Sequence, residues 1–250
     1  MIEVKDLGPQ FSYRGVFFVE YLGPILIVLL YAFRPAIIFG TDSTPVDILN
    51  NLSLKNWNSP VGSSNYNAFV QSLAICLWVL HFVKREFETF FVHKFSRATM
   101  PLFNLFKNSM YYWGFALGVA YPLTHSQFTA PEKNQVLFGV ALWIASQATN
   151  FAVHAQLSGM RKEEGDKDRQ PPKGFLFSLV SCPNYTAEVL GWVAWTTLTQ
   201  IFMSGFFTLA GLIQMTEWAL SKHRGYISSA TTDEAKKKIK SKKAIIPFVI

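Results

Sequence analysis

Tyr185 stands in the run SCPNYTAE at 181–188, beside Asn184 and one helical turn before Glu188. A spacing of four puts Asn184 and Glu188 on one helical face, and Pro183 suits the first position of a helix. A helix cap with a first-turn Glu would use the same residues, and an aromatic belt would explain Tyr185 equally well. Asn150, His154, Ser158 and Arg161 recur at spacings of four, four and three, so they form one stripe on a helix. Such a stripe is either an inter-helix hydrogen-bond seam or the polar wall of a ligand cavity. In HFVKREFETFFVHKFSRATMP, at 81–101, His81 and Arg85, and Lys84 and Glu88, are i,i+4 pairs that a salt-bridged helix end would also produce. EWALSKHRGY at 217–226 packs His223, Arg224 and Tyr226 together. Glu20 lies in EYLGP at 20–24, within an otherwise apolar run, where an ionisable group is costly. Pro24 would kink that helix and free backbone groups nearby. Asn, Glu, Tyr, Lys, Arg and His thus gather at several helix ends at once, which is harder to produce by accident than any one of these groups.

These residue types suit polar recognition and proton transfer. The sequence has no Gly-rich dinucleotide fingerprint, no P-loop and no paired-His spacing for zinc, so no metal site is expected. A dinucleotide would have to bind without the nucleotide-binding fold that the fingerprint marks. Gln200, Gln214 and Glu217 have no assignable role at this level.

The elements that must carry these groups are apolar. Half of the 250 residues are hydrophobic, 23 of them Phe, and 16% are charged; soluble domains carry about 25%. Two cysteines, Cys76 and Cys182, are too few for a disulfide framework. The net charge of +7 lies in short loops between apolar runs, which argues against nucleic acid and fits either membrane topology or phosphate-rich ligands. The first apolar stretch carries Glu20 and lacks a small-residue cleavage site, unlike a signal peptide. The pattern predicts an all-α integral membrane protein. Its six transmembrane helices fall near 15–39, 67–83, 110–124, 135–157, 187–203 and 205–221, with a tight hairpin at Ser204 and Gly205. Residues 187–221 would reach about 52 Å as one helix, too long for a single crossing.

Six spans segregate the charge. Of 23 basic residues only Arg34, Lys55 and Lys133 fall on one side; the others, among them Lys5, Lys167 and Arg169, share the side of both termini. That side is therefore cytosolic. The stretch 40–66, rich in Asn, Ser, Pro and Gly, reads as an irregular lumenal loop with a glycosylation sequon at Asn51; a second sequon at Asn184 falls on the cytosolic side. The Lys-rich run 233–243 reads as a solvated tail near anionic lipid.

These runs carry a resemblance. The chain resembles the very-long-chain trans-2-enoyl-CoA reductases of the steroid 5α-reductase superfamily. The match extends from KDLGPQ at 5–10 to IIPF at 245–248 and is most specific in HFVKREFETFFVHKFSRATMP, FKNSMYYWG at 106–114, LVSCPNYTAE at 179–188 and KHRGY at 222–226. The resemblance implies a single membrane-embedded reductase domain over 1–250, without the ubiquitin-like N-terminal domain of animal and fungal members. It implies an endoplasmic-reticulum membrane enzyme whose cofactor-binding loops and termini are cytosolic. It implies NADPH-dependent reduction of the C2–C3 double bond of a long-chain trans-2-enoyl-CoA, the last step of fatty-acid elongation. Membrane lipid and other elongation enzymes would be its partners. The family's catalytic Tyr, Lys and Glu fall on Tyr185, Lys84 and Glu20. Pocket residues of the related steroid reductases fall on Asn150, Arg161, Asn184, Glu188, His223, Arg224 and Tyr226. An Asp of that pocket is replaced here by His154, and Arg85 is a further candidate for a phosphate.

Reducing an enoyl thioester places hydride on the β-carbon and a proton on the α-carbon, through a transition state with enolate-like charge. A phenol at the membrane edge can donate to that charge or supply the proton, while basic loops suit the phosphates of NADPH and CoA. Three other readings compete: an NADPH-dependent steroid or polyprenol enone reductase, an S-adenosylmethionine-dependent membrane methyltransferase, and a non-enzymatic scaffold or transporter. The FVHKFSRATMP run favours the acyl-CoA substrate. The lack of polar groups in the lumenal half disfavours a through-pathway.

Overall fold

The computed structural model describes residues 8–165, 171–247 and 249. Lys5, Lys167, Arg169 and Phe248, which enter the charge count and the resemblance, lie outside the described residues. The described chain is predominantly helical and divides into two compact units, Met1–Ala130 and Pro131–Ile250.

The first unit opens with a two-stranded antiparallel ribbon, β1 (Gln10–Ser12) against β2 (Thr99–Pro101), with Gln10 opposite Pro101. Ser12 then caps helix α1 (Tyr13–Phe33) by accepting from the Gly15 amide. Pro24 interrupts the helix ladder, and two indoles reach backbone carbonyls around it. Trp78 Nε1 donates to Pro24 O at 3.1 Å and Trp113 Nε1 to Val19 O at 3.2 Å. Gly23 makes the second approach possible, because a Cβ there would lie 1.8 Å from Trp113 Nε1. The helix stops at Phe33, short of the expected 39. Arg34 turns left-handed (φ 45°) ahead of Pro35, a residue that disfavours helix before it. A separate turn, α2 (Ala36–Phe39), follows.

The segment expected to be irregular contains two single-turn helices, α3 (Ile48–Asn51) and α4 (Leu54–Trp57). Asp47 and Ser53 cap them, which is what their short polar side chains do best. Asn51 Nδ2 donates to the buried Ser72 Oγ at 3.1 Å. Helix α5 (Ser64–Phe87) runs on without a break into a π-turn (Glu88–Val92), and α6 (Leu102–Thr124) packs along α1.

In the second unit α7 (Lys133–Gly159) packs closely against α8 (Pro183–Thr199). Small residues allow it: a Cβ on Gly139 would lie 2.7 Å from Leu198 Cβ, and one on Gly191 2.9 Å from Gln147 Nε2. The next turn falls at Gln200 and Ile201, not at Ser204 and Gly205. Gln200 adopts the left-handed conformation (φ 56°) and closes α8, its backbone N–H donating to Thr196 O. Ser204 and Gly205 instead lie in the first turns of α9 (Phe202–Ser229), Ser204 Oγ donating to Ile201 O. A Gln is an uncommon left-handed residue, so the glycine drew the turn in the sequence reading while the backbone bent four residues earlier. After α10 (Asp233–Lys240) the chain returns beside 180–182, where Val180 and Lys243 form a parallel bridge.

Among the described residues, three helices are long and apolar enough to cross a membrane: α1, the continuous helix Ser64–Val92, and α7, with mean hydropathy 2.2, 1.5 and 1.5. Exposed Leu26, Phe33, Leu137, Phe138, Ile144 and Phe151 on α1 and α7 supply an apolar outer surface that lipid would cover.

Candidate functional site

The second unit brings most of the expected residues together. Proline at the first position starts α8, and the amide of Tyr185 closes back to Cys182 O at 3.0 Å. Asn184 and Glu188 therefore face α7, as their spacing predicts. There Asn150 Nδ2 donates to Asn184 O at 3.0 Å and to Glu188 Oε2 at 3.2 Å. The other oxygen of Glu188 accepts from Trp192 Nε1 at 3.1 Å. Asn150 is 1% exposed and Asn184 7%, whereas Glu188 is half-buried, so a satisfied carboxylate retains an accessible edge. His154 is buried one turn beyond Asn150, and Arg161 is half-buried where α7 ends. The stripe read from the sequence is thus a hydrogen-bond seam at Asn150, which bonds to α8, and it ends in the half-buried Arg161.

The C-terminal segment holds the start of α8. The amides of Ser181 and Cys182 donate to Lys243 O and Ala244 O, both at 2.9 Å, and Thr186 Oγ1 donates to Ile245 O. Ala244 and Ile245 are buried with Cys182, Met215 and Ala219, and half-buried Tyr185 packs against this cluster. The Tyr185 ring lies 6.2 Å from that of Trp218. His223 Nδ1 meets Ser181 Oγ at 2.7 Å. Burial, with the Lys242 charge, holds the His223 imidazole below its usual range, so it is neutral at pH 7. Burial, with Lys238, lowers Lys242 as well, and its Nζ donates to Phe177 O at 2.8 Å. Arg224 is exposed and Tyr226 half-buried on the same stretch of α9.

The first unit holds Glu20, Lys84 and Arg85. Glu20 is 1% exposed and accepts from Asn108 Nδ2 at 2.8 Å. Glu88, fully buried, takes Lys84 at 3.1 Å and Arg85 at 2.6 Å. The Arg85 guanidinium also donates to Tyr21 Oη at 2.9 Å and lies 5.0 Å from the centre of that ring. Lys84 and Arg85 thus share one carboxylate three and four residues on, which the i,i+4 spacing foretold for Lys84 alone.

Sequence reasoning missed Asn108, Tyr21, Ser181 and Trp192. Trp192 carried a signal, standing four residues after Glu188 on the same face. Asn108, 88 residues from Glu20, carried none.

The family model described as 3-oxo-5-alpha-steroid 4-dehydrogenase matches residues 98–250. A Trypanosoma brucei brucei protein with enoyl-CoA reductase in its name is 47% identical over 98% of this chain and 74% of its own length. The very-long-chain enoyl-CoA reductase of Dictyostelium discoideum is 40% identical over 98% of this chain and 73% of its own. The human trans-2,3-enoyl-CoA reductase-like protein is 33% identical over 98% of this chain and 63% of its own.

Proposed function

Because the chain belongs to the 3-oxo-5-alpha-steroid 4-dehydrogenase family, we propose that it reduces the C2–C3 double bond of trans-2-enoyl-CoA with NADPH. The reading places it in the endoplasmic-reticulum membrane, crossing six times with both termini cytosolic, and gives it the last reduction of fatty-acid elongation. Relatives at 40% and 33% identity carry enoyl-CoA reductase in their names. The observation that carries the reading is the Asn150–Glu188–Asn184 arrangement, with Tyr185 next to it in the chain.

The donor set fits a nicotinamide cofactor. Glu188 has an accessible carboxylate edge for a carboxamide N–H, and the Asn184 side chain can pair with the amide oxygen. Arg161, Arg224, His223 and Tyr226 offer cations and hydrogen-bond donors to phosphate, and His154 and Arg85 complete the proposed contacts. A reduced nicotinamide, when bound, supplies the hydride. The chain's own part is to orient the thioester, exclude water and deliver the proton. Tyr185 Oη–H gives that proton to the α-carbon. Lys84 and Glu20 are further catalytic residues in this reading, held respectively by Glu88 and Asn108.

The test is loss of reduced-cofactor absorbance with purified protein and trans-2-hexadecenoyl-CoA, comparing NADPH with NADH. Saturated acyl-CoA formation with a preference for NADPH is expected. A steroid or polyprenol enone reduced in its place would shift the substrate, and no cofactor oxidation with any enone would refute the reading.

A further inference from the structure

We propose that Lys222 is a positioning residue for the proton-transfer step, its ammonium holding the Tyr185 phenol in place and stabilising the phenolate left when the proton departs. The inference rests on the reading of Tyr185 as the acid. It starts from α9, where Trp218, Lys222 and Tyr226 recur every four residues and so share a face. Two of them meet the Tyr185 ring: Trp218, tilted at 46° with its ring centre 6.2 Å away, and the Lys222 ammonium over the ring at 4.6 Å from its centre. The ring is in turn packed on Cys182, Met215, Ala219, Ala244 and Ile245. Its position is therefore set by the fold, and the cation's position is set by the ring.

The charge environment separates this lysine from the others discussed. Lys84 and Arg85 are both paired with the Glu88 carboxylate. The ionisable groups that act on Lys222 are Tyr185, Cys182 and Tyr226, two phenols and a thiol, with no carboxylate among them. Burial pushes the Cys182 thiol up to about 11 against the pull of Lys222, so it brings no negative charge at neutral pH. An ammonium over an electron-rich ring is attracted to the neutral phenol and more strongly to the phenolate. That difference is what helps a transition state. In the step, hydride from the reduced nicotinamide bonds to the β-carbon and the enolate electron pair takes the Tyr185 proton at the α-carbon. The O–H bond breaks, and the negative charge left on Tyr185 lies under Lys222 until solvent returns a proton.

The experiment is a mutant cycle in the full chain with trans-2-hexadecenoyl-CoA. Lys222→Met should lower kcat by about 10- to 100-fold, less than loss of the acid itself (about 10²- to 10⁴-fold), leaving KM and cofactor Kd within about twofold. Lys222→Arg should recover most of the loss. In Tyr185→Phe the Lys222→Met change should cost nothing further, because the group it acts through has gone. Wild-type kcat in Lys222→Met would overturn the proposal. So would losses that multiply in the double variant, or an effect confined to cofactor Kd, which would make Lys222 a phosphate ligand. If Lys222→Met does not fold, Lys222→Gln against Lys222→Arg carries the same comparison. Wild-type protein inert towards enoyl-CoA would overturn the parent reading, a result that no Lys222 variant can mimic.

Discussion

Asn150 holds Glu188 from across the α7–α8 seam, its Nδ2 3.2 Å from Oε2, while the same nitrogen donates to the Asn184 carbonyl. One amide thus bonds to both residues on which recognition of the nicotinamide is proposed to depend. Losing a hydrogen bond to a charged group costs about 1.5–3 kcal/mol. Glu188→Gln should weaken NADPH binding by roughly one to two decades, measured by titration calorimetry or fluorescence. Asn150→Leu should weaken it too, by releasing Glu188, and should lower thermal stability because it removes two hydrogen bonds across the α7–α8 seam. Unchanged affinity in both variants would place the cofactor elsewhere.

Tyr185→Phe keeps the ring and its packing on Trp218 and removes one oxygen. Turnover should fall about 10²- to 10⁴-fold, the usual worth of an acid catalyst. NADPH binding should persist, since Asn150, Asn184 and Glu188 are untouched. Stopped-flow cofactor oxidation with a parallel binding measurement separates the two. Full turnover would show that Tyr185 serves only as an aromatic at the membrane edge.

His223 predicts a pH effect with a definite sign. Its folded-state affinity for protons is lowered by burial and by Lys242, so it is neutral at pH 7 and protonates only below the usual histidine range near 6.5. If it contacts phosphate, the bound anion favours the imidazolium, and NADPH affinity should rise as pH falls through that region. The free protein should move the other way. The unfolded chain binds the proton more readily, so stability is lost as pH drops below about 6.5. His223→Gln should flatten both trends. Binding and thermal melts across pH 5–8 check them.

The long helices were legible from the length of apolar runs without charge, and the Asn184–Glu188 pair from helical periodicity, which the backbone imposes. The stripe through Asn150 was legible for the same reason. What escaped depends on groups distant in sequence. Asn108 on Glu20 and Ser181 on His223 are partners that no spacing rule connects. The turn at Gln200 was missed because glycine marks left-handed positions far more often than glutamine does. The capped turns α3 and α4 were missed because Asp47 and Ser53 serve equally in loops and at helix starts.

The proposed six-span topology predicts that a C-terminal tag on microsomal protein is open to protease and that a glycan, where present, is at Asn51. Asn184 is 7% exposed in the first turn of α8 and should carry none. A protected C-terminal tag, or glycosidase-sensitive sugar lost in Asn184→Gln, would contradict the assignment of sides.

Glu88 offers a stability test that is independent of the reaction. The residue is fully buried and takes Lys84 at 3.1 Å and Arg85 at 2.6 Å, with Arg85 tied on to Tyr21. A buried pair in place is weak evidence for net stability, because desolvation offsets the attraction. Removing one member is different, since it leaves the others charged and partly buried. Glu88→Ala strands two cations whose side chains are only 16% and 15% exposed, and such losses typically cost about 3–5 kcal/mol. Glu88→Gln keeps the volume and an acceptor and should cost less. Thermal unfolding in detergent should therefore rank wild type above Glu88→Gln and that above Glu88→Ala. A triple change, Lys84→Met, Arg85→Leu and Glu88→Leu, should recover stability relative to Glu88→Ala, because it leaves no unpaired charge in the cluster. If Glu88→Ala melts with the wild type, the ion cluster is solvated in the membrane-bound protein and the buried-charge argument fails.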